Sequence, residues 1–393
     1  MIGSRGIPAR YGGVETVVDV AARELVKRGH DVTVFCRRGD YEERPSDVDG
    51  VRCVYLWAPA QTGLAALVHS GLATIWSLPR RFDVIHYHAL GPGLLAAIPK
   101  LLTKARIVQT VHGRDDKRDK WGRFPKLVLG LGARSSASIP DETLVVSNAL
   151  CEDYLEEFGR RTRFVPNATG PRMEAEPGEA LERFGLDRGR YVLSVGRIVP
   201  EKAPHELVEA FVDSDLDTTL VVVGGSAGTD DYAAKIWAIA EGDDRVVFTG
   251  GVYGDDLAQL VCGAAVFVTG SHLEGLPTTV IEAGRTATPC LASDIAPHVE
   301  ILGDDQPGAR TFPVGDGTKF VERLRAMLGD LEREQRGARV LAESLEDRFS
   351  AERAADIHEI AYGLDPEVVI DLRRERIPEV DREGSDRLLD SSR

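Results

Sequence analysis

Cysteine is scarce in this chain: five in 393 residues, at Cys36, Cys53, Cys151, Cys262 and Cys290, with no C-x-x-C spacing. An odd, scattered set excludes a disulfide framework and a cysteine-ligated zinc site, and it suits a reducing compartment. Lysine is scarce too, nine of the 48 basic residues. Acids outnumber bases 63 to 48, for a formal charge of −15. That balance disfavours nucleic acid as a partner and makes a local basic patch informative. Acid excess with little Lys suits a high-salt cytoplasm, but a GC-rich genome gives the same Arg bias, and both readings stay open. No stretch reaches the roughly 20 apolar residues of a membrane span. The most apolar one, residues 63–78, contains His69 and reads as a buried helix. No secretory leader opens the sequence, so the expected location is the cytoplasm, at the inner face of a membrane if something tethers the protein there.

What is present is an alternation. Short β-branched runs are expected as strands at 32–36, 51–56, 84–86, 106–111 and 143–146. After a break they resume at 191–195, 218–223, 245–248, 265–268 and 289–292. Helical patterns separate them, which predicts α/β units with parallel sheets covered on both faces. The length calls for two domains. A Pro, Gly and Asn cluster at 164–178 places the boundary between 1–168 and 169–349. Ser350 caps a further helix over 350–364, and the charged remainder, 365–393, is expected to be a disordered tail. The opening MIGSRGIP leaves about three residues for a first strand that should sit centrally, against a usual 5–6. The first strand is therefore expected to be truncated here.

Four loops carry chemistry. Gly12 and Gly13 in GSRGIPARYGGVE stand before the first helix and let the backbone approach a ligand at a helix N-terminus. The segment is not a G-x-G-x-x-G fingerprint, which weakens an NAD-dependent oxidoreductase reading. Gly196, Arg197 and Lys202 in GRIVPEK follow a strand, where open α/β sheets bind ligands, and both cations could reach one anion. Glu274, Gly275, Leu276, Pro277, Thr278, Thr279 and Glu282 form EGLPTTVIE after another strand, with Pro277 in a first helical turn. The two acids fit sugar hydroxyls. An acid pair of the glycosidase type is the competing reading, but it explains neither the cations nor the strand-end loops. His112 ends a strand and precedes Gly113.

Together these segments resemble family-4 retaining glycosyltransferases of the GT-B fold, over nearly the whole chain to about residue 364. The E-x7-E pair is the strongest element. SRGIPARYGGVET and HGRDDKRDKWGRF look like a subgroup, often rhamnosyltransferase-like, that assembles surface polysaccharides. The resemblance implies two Rossmann-like domains facing across a cleft, with the last helix crossing back to the first domain. It implies that Arg197 and Lys202 bind the diphosphate of a nucleotide-sugar donor. Glu282 would take ribose hydroxyls, Glu274 the transferred hexose, and 276–279 would present amides. Gly12, Gly13 and His112 would come from across the cleft. It implies no metal or other cofactor, and a glycan or polyprenyl-linked acceptor. The family's Gly after the phosphate-binding lysine is Ala203 here, which predicts a different loop geometry.

Residues 114–134 are basic in an acidic whole, with Arg114, Lys117, Arg118, Lys120, Arg123 and Lys126 around Trp121. The stretch is expected to meet an acceptor or an anionic membrane surface; a core helix with solvated charges is the plain alternative. A GT-B nucleotide-sugar epimerase and a non-catalytic nucleotide-sugar-binding protein are the remaining rivals.

Overall fold

Apolar runs without alternation bury both faces of a strand, and parallel sheets between helices satisfy that demand. The computed structural model, which describes residues 1–10, 12–60, 62–117, 123–176, 178–226 and 229–365, contains two such sheets. The first is built from β1 (Thr33–Arg37), β2 (Asp47–Val48), β3 (Val51–Leu56), β4 (Val84–His88), β5 (Arg106–Val111), β6 (Glu142–Val145) and β7 (Arg163–Phe164). Its two parts run β1-β3-β2 and β4-β5-β6-β7, parallel except for the short β2. Residues 1–2 join them. Phe35 donates its amide to Met1 O (3.2 Å) on one side, while Ile2 donates to His86 O (2.8 Å) on the other. The central position expected for an opening strand is thus held by two residues.

The second sheet comprises β8 (Tyr191–Val195), β9 (Thr219–Val223), β10 (Val246–Gly250), β11 (Val266–Thr269), β12 (Cys290–Ser293) and β13 (Ala309–Phe312), all parallel, in the order β10-β9-β8-β11-β12-β13. Chain order reverses between β8 and β11, which opens a crevice beyond the strands' carboxyl ends. The expected strands fall within two residues of those observed. β2, β7 and β13 were not anticipated: two are a single dipeptide, and β13 (ARTF) is half polar.

In the first half the helices are α1 (Gly13–Lys27), α2 (Thr62–Ser77), α3 (Leu90–Gly93), α4 (Ala97–Leu102), α5 (Arg123–Ser138) and α6 (Asn148–Phe158). The second half has α7 (Glu179–Arg183), α8 (Pro204–Val212), α9 (Asp230–Ile239), α10 (Gly254–Gly263), α11 (Thr278–Arg285), α12 (Ala296–Leu302), α13 (Gly317–Gly329), α14 (Leu331–Arg348) and α15 (Ala351–Tyr362). Val18, Ala22 and Leu25 of α1 pack on Val34 and Cys36 from one face of the first sheet. On the other face, Ala73 and Trp76 of α2, Leu95 and Ala96 before α4, and Ile139 after α5 share a cluster with Phe35, Ile85 and Ile107. That makes α2, α4 and α5 one outer layer. The expectation of a buried α2 needs correction: Ala73 is fully buried, but Leu72 and Ile75 on the opposite side are 38% and 63% exposed. A helix laid on a sheet has only one covered side.

Ser350 Oγ accepts from Arg353 N (3.1 Å), capping α15. That helix lies against the first domain: Arg106 Nε donates to Ala361 O (2.7 Å), and Tyr362 OH bonds His86 Nδ1 (2.9 Å). At the far end of α1, Arg28 is 3% exposed, with its guanidinium on Asp356 (2.7 Å) and Glu359 (2.8 Å) of α15. Residues 366–393, expected as a tail, lie outside the described residues.

Candidate functional site

Strand-end loops of the second sheet and of the first sheet enclose a cleft of about 700 Å³. Gly12, Gly13, His112, Gly196, Arg197, Lys202, Gly275, Glu274, Leu276, Pro277, Thr278, Thr279 and Glu282 all line it. The spacing within each loop explains this convergence, because β8 and β11 are neighbours and GRIVPEK and EGLPTTVIE leave adjacent strand ends.

Lys202 Nζ donates to Glu274 Oε1 at 2.7 Å, and Ser271 Oγ donates to the same oxygen at 3.0 Å. Both bonds fall on Oε1, which leaves Oε2 for a ligand. Burial pushes the Glu274 carboxyl up, but the Lys202 charge and its hydrogen bond outweigh that and hold it below its ordinary value. The loop is further tied by His272 N donating to Glu201 O (2.9 Å). Arg197 is exposed in the cleft wall. Ala203 takes the left-handed conformation (φ 45°, ψ 40°) that ordinarily favours glycine. The Ala accepts this strained backbone, and Pro204 starts α8 directly after it.

Pro277 is the residue before α11, so the first amides of that helix open toward the cleft. Arg285, on the last turn of α11, is buried and binds Glu346 (2.6 Å) and Thr169 Oγ1 (2.5 Å), which fixes the helix axis. Across the cleft, α1 begins at Gly13. A Cβ there would meet Thr278 Oγ1 at 3.1 Å, so two helix N-termini converge on one space. A site with two positive dipole ends and two cations suits a diphosphate. Glu282 lies one turn deeper. Burial raises its carboxyl to about 7, against a small opposing effect of Arg285. A half-buried carboxyl of that kind gains from hydroxyl donors.

His112 belongs to a histidine row. Its Nε2 is 3.1 Å from His88 Nδ1, and the His88 ring stacks on His86 with centroids 4.2 Å apart. Burial keeps all three neutral, with His112 lowered to about 4 and the other two pushed well below their usual value. His88 Nε2 is buried without a partner among the described residues. A buried N–H lacking an acceptor costs more than a bare lone pair, so the bonding pattern assigns the His88 proton to Nδ1. His112 Nε2 then accepts, and the cleft-lining ring carries its own proton on Nδ1.

The basic stretch needs correction. Arg114 is 3% exposed, held by Asp116 (2.7 Å) and Glu157 (2.7 Å), and so is a structural ion-pair centre, not an acceptor contact. Lys117 is likewise engaged, with Asp153 at 3.1 Å. Lys126 remains partly buried on α5. Arg118, Lys120 and Trp121, together with the Arg123 side chain, lie outside the described residues. Sequence reasoning missed Asn167, whose Nδ2 donates to Leu276 O (2.7 Å) while its buried Oδ1 lacks a donor among the described residues. It also missed Gly224, Gly225 and Tyr253 in the cleft wall. The Gly-Gly pair after a β-branched run was a readable signal for a close backbone approach.

Two family models divide the chain where the fold does. The one described as Glycosyltransferase Family 4 matches residues 11–170, and the one described as Glycosyl transferases group 1 matches 181–339. The chain belongs to glycosyltransferase family 4. This family-4 enzyme is 24% identical over 362 residues to the O-antigen chain mannosyltransferase C of Escherichia coli, covering 90% of this chain and 95% of that one. It is 26% identical over 355 residues to a GDP-mannose-dependent phosphatidylinositol monomannoside mannosyltransferase of Mycolicibacterium smegmatis, with 82% and 86% covered. Among solved structures it is similar to Anabaena HepE in complex with UDP-glucose (TM-score 0.74, 15% identity, 90% and 97% covered). A sucrose-phosphate synthase of Thermosynechococcus elongatus gives a TM-score of 0.77 at 18% identity, with 92% and 96% covered. The fold of this glycosyltransferase is GT-B.

Proposed function

We propose that this glycosyltransferase moves a hexose from a nucleotide-diphosphate sugar to a glycan or lipid-linked acceptor, with retention at the anomeric carbon, in the synthesis of a cell-surface polysaccharide or glycolipid. The observation that carries the reading is the convergence of Arg197, Lys202 and the α11 N-terminus on one side of the cleft with two sugar-ligating carboxylates, Glu274 and Glu282. The cations stabilise charge as the diphosphate leaves, which calls for no metal. Glu282 accepts from the ribose and Glu274 from the hexose. The leaving phosphate takes the acceptor proton on the same face, since Glu274 is already committed to Lys202. A carboxylate so held is an orienting ligand more than a nucleophile. The mannosyltransferase and UDP-glucose names among the relatives support a hexosyl donor.

A thermal-shift panel of nucleoside diphosphates and their sugars tests this. Stabilisation by at least one nucleotide sugar is expected, and Arg197→Ala with Lys202→Ala should abolish it. No shift across the panel would refute donor binding.

A further inference from the structure

We propose that the second domain holds a further ligand site, for a small phosphorylated sugar, in a cavity at the opposite ends of the strands that serve the donor cleft.

Parallel strands have two ends, and β8 and β11 use both. Their carboxyl ends lead into GRIVPEK and EGLPTTVIE at the cleft. Gly189 and Ala264, just before their first residues, line a separate cavity of about 600 Å³. Residues 286–289, between α11 and β12, line it too, with one face of α14 and with Arg172 from the segment that joins the two domains. Strands of four or five residues rise about 3.3 Å per residue, which sets this cavity roughly 15 Å from the cleft.

Three arginines line the cavity, Arg172, Arg188 and Arg339, against one acid, Glu343, in a chain of net charge −15. Elsewhere in this domain the protein itself takes up such guanidinium groups. Arg245 donates to the carbonyls of Val212, Ser214 and Leu216, and Arg348 to those of Glu300 and Ile301. Arg285 donates to Gly170 O and to Glu346. Arg172 and Arg339 form no hydrogen bond or ion pair among the described residues, and both are exposed. Glu343 stands one turn from Arg339 on α14 and leaves it unpaired. The carboxylate that Arg172 does act on, Glu346, is already held by Arg285 (2.6 Å). Arg188 has one pair, with Glu176 at 3.2 Å, but that carboxylate is 91% exposed and such a contact contributes little. Like charges gathered around one concavity repel each other, and a bound oxyanion turns the repulsion into attraction.

A guanidinium is a planar fork matched to phosphate oxygens, and several forks favour a group of more than one charge. Thr286 donates to Ala283 O (2.6 Å) and Thr288 to Val261 O (3.0 Å), so these hydroxyl protons are spent within the protein. Side-chain donation to a ligand falls to the arginines and Gln335, and acceptance to Glu343. Gln335, Arg339 and Glu343 stand on successive turns of α14, which puts an amide, a cation and a carboxylate in one row. The cation suits a phosphate, and the groups on either side suit sugar hydroxyls, which donate and accept. Free phosphate would leave Glu343 facing an anion, so the ester of a polyol fits better. The volume lies within the roughly 300–1,000 Å³ of small-molecule sites.

Calorimetric titration of the full chain with fructose 1,6-bisphosphate, beside glucose and inorganic phosphate, tests this. The bisphosphate is expected to bind, with inorganic phosphate at least about tenfold weaker and glucose silent. Arg172→Glu with Arg339→Glu should weaken bisphosphate binding by about tenfold or more per site. The melting temperature should not change, because both side chains are exposed. Arg197→Ala, in the cleft, should leave this binding unchanged, which separates the site from the diphosphate one. Location is read independently at Cys262, a half-buried thiol lining the cavity. The bisphosphate should slow its alkylation by N-ethylmaleimide and leave that of Cys151, also half-buried, unaffected. Absence of bisphosphate binding, or equal binding of inorganic phosphate, would overturn the assignment. So would affinity that survives the Arg172 and Arg339 substitutions, or an alkylation rate at Cys262 that the bisphosphate does not change.

Discussion

Gly275 faces the backbone of His112 so closely that a Cβ on it would lie 1.8 Å from the His112 carbonyl oxygen. The two residues belong to opposite sheets, and this contact sets how near the two halves of the site come. Gly275→Ala should therefore hold the cleft open while leaving both cores intact. Small-angle scattering should report a larger radius of gyration, and transfer should fall by about a hundredfold from misplacement of groups across the cleft. Unchanged scattering with full activity would contradict this role.

Lys202 and Glu274 neutralise each other before any ligand arrives. Lys202→Met should cost roughly 3 kcal/mol of stability, because the remaining carboxylate is enclosed and unpaired. Adding Glu274→Gln should recover most of that stability without restoring transfer. The Glu274 carboxyl is held below its ordinary value of 4.5, so its contribution is complete above that pH and is lost as acid protonates the folded state. Chemical denaturation of the four variants at pH 7 and at pH 4 measures each term.

Glu282 behaves in the opposite sense. Its carboxyl is raised from 4.5 to about 7, so the folded state binds this proton more tightly than the unfolded chain does. Stability from this group is full below about 4.5 and declines as pH rises toward 7. Glu282→Gln should thus stabilise the ligand-free protein at pH 8 relative to pH 5. Hydroxyl donors favour the ionised carboxylate. Nucleotide-sugar affinity, read by calorimetry, should rise between pH 6 and pH 8 in the parent and be flat in the variant.

His88 acts through His112. His88→Leu should impair transfer because His112 loses the donor that fixes its proton on Nδ1. His88→Asn, whose amide N–H sits near the position of Nδ1, should rescue part of it. At His112 itself, Asn imitates a donor at Nδ1 and Gln one at Nε2, so His112→Asn should retain more activity than His112→Gln. Equal loss in both would contradict the assigned tautomer.

Much of this was readable in the chain. Val-rich runs such as Thr219–Val223 announce their strands, and the strand-end position of GRIVPEK and EGLPTTVIE placed their residues at one crevice. What local pattern leaves out is pairing at a distance. Arg114 looks like a free cation until Glu157, 43 residues later, encloses it. Asn167 looks like linker until it bonds Leu276. His88 is legible only as one more strand residue, because its partner stands on the neighbouring strand. Ala203 shows the reverse case, where the surrounding loop imposes a backbone angle that its side chain disfavours.

The ends of α1 have unequal attachments. At Arg28 the helix is pinned by charged hydrogen bonds to α15, whereas in its first turn Glu15 Oε1 accepts from Arg5 N (3.0 Å) of the opening loop and Gly13 faces Thr278. A beam held by several bonds to a helix at one end and by one bond to a loop at the other moves most at the loop-held end. Any swing that widens the crevice therefore takes the Gly12–Gly13 end away first and leaves the Arg28 end in place. Departure of the spent nucleotide is then governed by the tip of one helix, and amide exchange at residues 13–16 should run faster than at residues 24–27.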